Sequence, residues 1–434
     1  MKRRVAVTGL GALTPFGYGC EPSLRALHAN ETVVRAYPEW DSFRGLRTRC
    51  GANVSDQDIP NTLPLKVSRS MGRVALLAYH AAELALTNAK IDFGSAQLQN
   101  GSCGVAFGSG IGSIAALSDY SSFITDKSTQ GLSSTTYHRM MSHTCASNIG
   151  IALGITGRII PTSSACTSGS QGIGFGYEAI RSGVQERMIT GGAEEFGPAV
   201  VAIFDVLGAC SLANPNEICT PRPFDEKRDG IVVTEGAGAL ILEEYDAALA
   251  RGAPILAEIV GFGTNSDGWH ITNPKAETMA LCIQLALSDA SLSARDIGYI
   301  NAHGTGTALG DRAETLAMQE VFAGSDAHFG DAQISGVPIS SFKGHLGHTL
   351  GACGALEAAL MIEMVRGGWL CGTRNLVTPL LESAGLNLIS SRVSLAGSYG
   401  QNLYAMSNTF AFGGINTSII FKIVTGQHLL GVIR

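Results

Sequence analysis

Charged residues are scarce in this chain. They make up 15% of its 434 residues, whereas about 25% is usual for a soluble domain. The net charge is −6 and the longest basic run is the tripeptide at residues 2–4, so electrostatics provides no basis for binding nucleic acid. The low charge predicts a compact protein with extensive buried surface, inside the chain or between subunits.

Short cysteine spacings and long apolar runs are absent as well. None of the ten cysteines forms a CxxC pair or another metal-ligand spacing, so we predict no metal site, and reduced thiols in the cytoplasm are the simplest interpretation. The longest uncharged stretches, residues 140–157 and 159–177, are crowded with Ser, Thr, Asn and Gly. Neither is apolar enough to span a bilayer, so we expect no membrane insertion.

Apolar residues and glycine are abundant instead. Apolar residues make up 45% of the chain, and 54 of its 434 residues are glycine. This length and apolar content are enough for two core-forming units of ordinary size.

An apolar, strand-like run leads at residue 161 into small polar residues, a cysteine and a helical segment. This pattern predicts a strand, a sharp turn and a helix whose first turn carries Cys166. Because unpaired N–H groups and the helix dipole favour an anion there, the thiol should ionise more readily than free cysteine. Cys166 is therefore a candidate nucleophile, with a small buried apolar residue as the alternative. Gly169, Gly172 and Gly176 share one helix face, which predicts close approach of another element.

Three patterns of the first half of the chain recur in the same order in the second half. An opening strand, a helix–strand–glycine unit and a glycine-rich helix each occur twice. The repetition predicts an α/β protein with two similar halves, residues 1–252 and 253–434. Equivalent loops of such halves meet at a common centre, where residues far apart in sequence come together.

Two histidines are candidates for that centre. His303 ends an apolar strand, and His348 follows Gly347 at a turn. Either one alone is more often a structural histidine. A thiol nucleophile, however, needs an oxyanion site and groups that handle protons or developing charge, so the two histidines and Cys166 predict a shared site.

Four motifs carry a resemblance to a known family. They are Ser-Ala-Cys-Thr-Ser-Gly at 164–169, Asn-Ala-His-Gly-Thr-Gly-Thr at 301–307, the lysine and second-histidine segment at 343–354, and Asn-Thr-Phe-Ala-Phe-Gly-Gly-Ile-Asn at 408–416. In this order, and over nearly the whole chain, the sequence resembles the β-ketoacyl-[acyl-carrier-protein] synthase family, of the type II elongating kind. The resemblance implies a thiolase-like fold, in which duplicated αβαβα halves form a five-layered core, and assembly as a dimer.

The resemblance also implies a reaction in two steps. Cys166 takes an acyl group from acyl carrier protein, while the backbone amides of Cys166 and Phe412 stabilise the oxyanion. Malonyl on the same type of carrier then loses its carboxylate, and His303 and His348 hydrogen-bond the resulting enolate. Decarboxylative Claisen condensation with the acyl-cysteine follows. No cofactor is implied beyond the phosphopantetheine of the carrier.

Further residues take supporting roles in this resemblance. Lys343 supplies positive charge that Glu357 balances, Thr305 and Thr307 hold the phosphopantetheine, and Phe412 acts as a gate between the two steps. The alternatives are an ordinary ion pair for Lys343 and Glu357 and a closed turn for Thr305 and Thr307.

Two acidic residues, Asp311 and Glu314, follow the first histidine motif as the family pattern requires. Helix capping or surface roles compete with a chemical role for both.

Three features depart from the family pattern. The segment with Tyr137 and Arg139 is more polar and bulkier than the apolar stretch that lines the acyl pocket at the dimer interface in fatty-acid members, so we expect both residues to contact the acyl chain. His345 adds an imidazole beside the lysine. Residues 426–434 extend beyond the usual final strand.

Two functions remain open within the condensing class. One is fatty-acid-type chain elongation by a 3-oxoacyl-[acyl-carrier-protein] synthase. The other is a pathway-specific ketosynthase of a type II polyketide or polyene system, alone or paired with a chain-length-factor-like subunit, so the assembly is a homodimer or a heterodimer. Cys166 disfavours a non-catalytic partner subunit. Phe412 disfavours a degradative thiolase, which needs a second catalytic cysteine in that glycine motif.

Overall fold

Helices and strands alternate along the chain, as the recurring patterns predict. The computed structural model describes residues 2–213, 220–325, 327–329, 332–334, 336–395 and 402–425. The first half contains strands β1 Val5–Thr14, β2 Gly17–Tyr18, β3 Arg35–Ala36, β4 Cys50–Gly51, β5 Cys103–Gly108, β6 Ile159–Thr162, β7 Arg187–Glu194 and β8 Gly236–Glu244. Its helices are α1 Cys20–His28, α2 Leu65–Ser68, α3 Arg73–Asn88, α4 Ala96–Gln99, α5 Ile114–Asp126, α6 Thr136–Met140, α7 Thr144–Leu153, α8 Ser168–Arg181, α9 Pro198–Val206 and α10 Tyr245–Ala250.

The second half repeats the alternation. Its strands are β9 Ala257–Ser266, β10 Ile297–Asn301, β11 Ala327–Phe329, β12 Ala332–Ile334, β13 Pro338–Ser340, β14 Trp369–Leu370, β15 Asn387–Leu388, β16 Val393–Ser394, β17 Asn402–Ala411 and β18 Ile415–Val424. Its helices are α11 Ala276–Ala290, α12 Ala308–Phe322, α13 Lys343–Leu346 and α14 Cys353–Arg366.

The two halves have the same strand order. The sheet runs β1-β8-β7-β5-β6 in the first half and β9-β18-β17-β10-β13 in the second, with β15 beyond β13. In both halves the first two pairings are antiparallel and the last two are parallel. A short antiparallel pairing of β1 with β9 joins the halves. This topology agrees with the predicted duplicated α/β fold; the predicted boundary after residue 252 lies between α10 and β9 and stays a prediction.

Helices and strands form five layers. Helices α3 and α7 cover the outer face of the first-half strands, and α11, against which α12 packs, covers the second-half strands. Between the two sets of strands, α8 and α14 pack against each other. Because α14 is buried along almost its whole length, it forms the centre of the core and carries the segment after His348 into it.

The glycine face of α8 explains how its poor helix propensity is tolerated. A Cβ at Gly172 would lie 2.7 Å from the carbonyl oxygen of Ala106, and one at Gly176 would lie 2.4 Å from Cγ2 of Thr190. Strands β5 and β7 thus approach the helix backbone directly, which confirms the predicted close contact.

Two further features bear on the sequence predictions. Among the described residues, no helix combines the length and apolar character needed to cross a bilayer. The nine cysteines in this part of the chain are free thiols. The predicted C-terminal extension, residues 426–434, lies outside the described residues.

Candidate active site

The structure brings together the three residues at the centre of the sequence prediction. Cys166 follows β6, His303 follows β10, and His348 follows β13 and the short helix α13. Each therefore lies beyond the carboxyl end of a parallel strand. Open α/β sheets place ligand sites at these ends. Their thiol and imidazole ligand atoms lie within 4.8 Å of one another, and the two imidazole rings meet edge to face at 5.2 Å.

Cys166 lies on a tight turn rather than in the first turn of a helix. Helix α8 begins at Ser168, two residues after Cys166, so the predicted placement of the thiol in its first turn is wrong. The hydroxyls of Thr167 and Ser168 donate to the carbonyls of Ser164 and Ala165, each at 2.7 Å. These local bonds compete with the helix, and Ala165 takes the left-handed region with φ 51°. The turn directs the thiol toward His348.

The expected low pKa of the thiol is wrong for this site. Burial raises the pKa of Cys166 to about 11, because a thiolate is poorly solvated there and only 6% of the residue is exposed. The charge of Lys343 and the N–H groups of Phe412 and Cys166 itself oppose the shift without cancelling it. These two N–H groups lie where negative charge near the sulfur is stabilised, as an oxyanion site requires.

Hydrogen bonding defines the tautomer of His348. Its Nε2 lies 3.1 Å from Sγ of Cys166, and its Nδ1 accepts a bond of 3.2 Å from the N–H of Leu350. Since Nδ1 is an acceptor, the neutral ring carries its proton on Nε2. His348 therefore presents a hydrogen-bond donor, rather than a metal-ligating lone pair, toward the thiol.

A buried carboxylate positions the backbone of His303. The oxygens of Glu314 accept bonds of 2.7 Å from the N–H groups of His303 and Gly304. Burial raises the pKa of Glu314 to about 8, and these two bonds oppose the shift. Glu314 therefore holds the turn that carries His303; it is neither a surface residue nor a cap of α12.

Both imidazoles are neutral at physiological pH. Burial and the positive charge of Lys343 hold the pKa of His303 and of His348 well below the ordinary value. A neutral imidazole can donate one N–H to an oxygen that becomes negative during a reaction. The pair therefore forms a dry donor site suited to an enolate or oxyanion.

Lys343 and Glu357 form a buried ion pair beneath this site. Their Nζ and Oε1 atoms are 2.6 Å apart, and both side chains are almost fully buried. The amide of Asn301 donates to the other carboxylate oxygen at 3.0 Å. Burial lowers the pKa of Lys343, but the attraction and hydrogen bond of Glu357, together with the effects of Cys353 and Glu314, outweigh burial and raise it overall, so the ammonium charge persists.

Lys343→Met should destabilise the protein, because it leaves the buried Glu357 carboxylate without its cation. We expect the free energy of unfolding in urea to fall by about 3–5 kcal/mol. The double substitution Lys343→Met/Glu357→Leu removes both charges and should recover most of that loss while condensation stays impaired. An unchanged unfolding free energy in the single variant contradicts the buried pair.

A cavity of about 320 Å³ opens onto the cysteine and the two histidines. Thr305 and Thr307 line it, with their hydroxyl oxygens 3.0 Å apart, as expected of residues that contact an incoming arm. Phe412 also lines it, and its ring lies 6.2 Å from that of Phe204. Apolar residues that follow α9 and β9 complete the wall: Leu207, Ile271 and Pro274.

Asp311 supports the threonine loop from below. It is fully buried and accepts bonds from the N–H groups of Gly306 and Phe224, at 3.0 and 2.7 Å. Burial raises the pKa of Asp311 to about 6, and these bonds oppose the shift. It thus ties the loop of Thr305 and Thr307 to the segment around Phe224.

Three predicted residues lie away from the cavity of this chain. Tyr137 is 65% exposed on α6, and Arg139 is partly buried on the same helix. Neither lines the cavity, so their contact with an acyl chain across a subunit boundary stays a prediction. His345 is buried beside the carbonyls of Glu31 and Gly372, at 2.8 and 3.0 Å, which identifies it as a structural histidine.

Sequence reasoning missed Glu194, which contacts the loop after His348. It ends β7 in an uncharged run, Met-Ile-Thr-Gly-Gly-Ala. A carboxylate at the end of such an apolar strand is expected to be buried, and a carboxylate is rarely buried unless it has partners. This pattern is the signal that could have identified Glu194.

Comparison with known proteins gives a consistent result. The profile of the β-ketoacyl synthase N-terminal domain matches residues 2–248, and that of the C-terminal domain matches residues 256–377. The chain is 34% identical to 3-oxoacyl-[acyl-carrier-protein] synthase 2 of Vibrio cholerae, over 97% of this chain and 99% of that protein.

Solved structures agree with these matches. A β-ketoacyl synthase from Burkholderia phymatum is 47% identical, with a TM-score of 0.91 over 98% of this chain and 100% of that one. The ishigamide ketosynthase/chain length factor is 28% identical, with a TM-score of 0.83 over the same shares.

Proposed function

This chain belongs to the β-ketoacyl synthase family, and on that premise we propose that it joins an acyl group held on Cys166 to a malonyl unit delivered by acyl carrier protein. It is an acyltransferase of the condensing type, a 3-oxoacyl-[acyl-carrier-protein] synthase. The convergence of one thiol and two neutral imidazoles within 4.8 Å carries the proposal.

The first step transfers the acyl group. The sulfur of Cys166 attacks the thioester carbonyl of the acyl carrier, and the carrier's thiol leaves with the proton. The N–H groups of Cys166 and Phe412 stabilise the negative oxygen of the tetrahedral intermediate. Lys343 favours the thiolate through its charge, which compensates in part for burial.

The second step forms the new carbon–carbon bond. Malonyl on its carrier loses CO₂, and the negative charge moves to the thioester oxygen as an enolate. His303 and His348 donate hydrogen bonds to this oxygen. The enolate carbon attacks the acyl thioester, the sulfur of Cys166 leaves and takes up a proton, and the 3-oxoacyl product stays on the carrier.

Reconstitution with purified carriers tests this function. Acyl carrier and malonyl carrier together should yield a 3-oxoacyl carrier two carbons longer, identified by mass spectrometry. Formation of a product of unchanged length, or of free acid only, contradicts condensation.

We further propose that two subunits assemble in the cytoplasm. Strand β6 lies at the edge of the sheet, and an exposed unpaired strand favours pairing with another chain. Apolar side chains of α5 are also exposed, among them Tyr120, Phe123 and Ile124. The free cysteines support a reducing compartment.

The pathway is either fatty-acid elongation or a specialised polyketide or polyene pathway. The 34% identity to the Vibrio cholerae enzyme, over 97% of this chain, favours elongation. Similarity to a ketosynthase/chain length factor supports the second candidate, with a heterodimer in place of a homodimer.

Competition between carriers of equal chain length separates the two pathways. If Tyr137 and Arg139 shape the far end of the pocket, a polyunsaturated acyl carrier should outcompete a saturated one, because a polar wall left unpaired costs about 1–3 kcal/mol per group. Tyr137→Ala should weaken this preference. If the saturated chain is elongated faster, and neither Tyr137→Ala nor Arg139→Ala changes its rate, the specialised pathway is contradicted and ordinary fatty-acid elongation is supported.

A further inference from the structure

Glu194, at the end of β7, is a buried carboxylate that the two steps above do not use. Only 1% of it is exposed. Its Oε2 accepts bonds from the N–H groups of Gly110 and Gly351, at 2.8 and 2.9 Å. Its Oε1 accepts from the N–H of Ile111 and the hydroxyl of Ser109, both at 3.1 Å. One carboxylate thus joins two loops that come from different halves of the chain.

The backbone of both loops leaves room for this carboxylate. A Cβ at Gly110 or at Gly351 would lie 2.7 Å from Oε2 of Glu194, which is closer than real Cβ contacts. Any other residue at these positions would displace the carboxylate or the loop. The two glycines and Glu194 therefore act as one structural unit.

This unit reaches His348 through a single turn. Gly351 belongs to the 3₁₀ turn Leu350–Ala352. The N–H of Leu350 in this turn donates to Nδ1 of His348 and so defines which nitrogen carries the proton toward Cys166. Displacing the turn would remove that constraint.

The charge of Glu194 also acts on the nucleophile. It raises the pKa of the Cys166 thiol, and that of Cys145 on α7, against the opposing effect of Lys343 on Cys166. Burial raises the pKa of Glu194 itself to about 7, and the N–H bonds oppose the shift. The carboxylate is therefore ionised at pH 8 and above. Its neighbour Glu195 is bonded to the N–H of Val74 instead.

We propose that Glu194 is a positioning residue for the condensation: its four hydrogen bonds hold the His348 turn and the 109–111 loop in place around Cys166. The expected effect on decarboxylation rests on the proposed role of His348 in that step.

Two substitutions separate the hydrogen bonds from the charge. Glu194→Gln removes the charge and can keep its oxygen toward Gly110 and Gly351. Its NH₂ group then faces the hydroxyl of Ser109, which can accept a bond, and the N–H of Ile111, whose bond is lost. Glu194→Ala removes the charge and all four bonds. Glu195→Gln is the matched control, because it neutralises an adjacent buried carboxylate that does not bond to the His348 turn.

The test measures two rates, acyl transfer and malonyl decarboxylation. Glu194→Ala should lower decarboxylation by about 10²-fold, with a much smaller loss of acyl transfer. Glu194→Gln should lose less, and Glu195→Gln should match the native enzyme in both rates.

A loss confined to the second step distinguishes positioning from loss of structure. If Glu194→Ala does not fold, the half-reactions of Glu194→Gln decide. An equal loss in both half-reactions, or no loss of decarboxylation in a folded Glu194→Ala variant, overturns the proposal. If His348→Ala leaves decarboxylation intact, the proposed function itself fails; if His348→Ala slows decarboxylation and Glu194→Ala does not, only the positioning role of Glu194 fails.

Discussion

Cys166→Ala should abolish acyl-enzyme formation and lower condensation by at least about 10⁴-fold, as the loss of a covalent nucleophile does in other enzymes. The fold should persist, because a small residue replaces a small one on a turn held by neighbouring hydroxyls. Intact-protein mass spectrometry after exposure to acyl carrier measures the acyl-enzyme, and circular dichroism checks the fold. Undiminished condensation in this variant would remove the assignment of the nucleophile.

Cys166→Gln provides the matched comparison. Its amide occupies the position of the acyl thioester while both imidazoles remain, so malonyl decarboxylation should stay measurable without any condensation. Loss of decarboxylation in a folded Gln variant contradicts the assignment of that step to the histidines.

His303→Ala and His348→Ala should each lower malonyl decarboxylation by about 10²–10³-fold, the usual effect of removing one oxyanion donor. Acyl transfer should fall much less, because the enolate charge arises only in the second step. Separate assays of acyl-enzyme formation and CO₂ release measure the two half-reactions.

His345→Ala is the control for removing a buried imidazole near the same segment. Its ring nitrogens face carbonyls outside the cavity, so the variant should lose stability without changing the ratio of the half-reactions. Equal losses in both half-reactions of the His303 and His348 variants would instead indicate that the imidazoles assist the thiol of Cys166.

The sequence predicts the fold and the three central residues because both follow from local patterns. Residues 71–88 carry apolar residues at helical spacing, which predicts a helix, and α3 forms over Arg73–Asn88. The convergence of Cys166, His303 and His348 follows from duplication, since equivalent strand ends of the two halves face one centre.

Other properties of the site depend on contacts between distant segments. The raised pKa of Cys166 results from cavity walls and charges contributed by several loops. The donors to Glu194 come from Gly110 and Gly351, which are 84 and 157 residues away in sequence. The pattern of apolar residues in a strand predicts neither the raised pKa of Cys166 nor the hydrogen bonds of Glu194, because both arise only when the two halves pack together.

The helix start and the predicted pocket residues depend on contacts that local patterns do not describe. The strand–turn–helix pattern predicts Cys166 in the first turn of α8, but the hydroxyls of Thr167 and Ser168 bond to the preceding carbonyls and the helix begins at Ser168. The predicted contact of Tyr137 with an acyl chain involves a second subunit, which no pattern within one chain describes.

Single-turnover kinetics with malonyl carrier labelled in its free carboxyl carbon tests the central claim most directly. Enzyme first loaded with an acyl group on Cys166 is mixed with the labelled carrier. We predict that labelled CO₂ appears, acyl-Cys166 disappears and unlabelled 3-oxoacyl carrier forms in equal amounts and at one rate. Label retained in the product, or CO₂ release while acyl-Cys166 stays unchanged, would contradict a decarboxylative condensation at this cysteine.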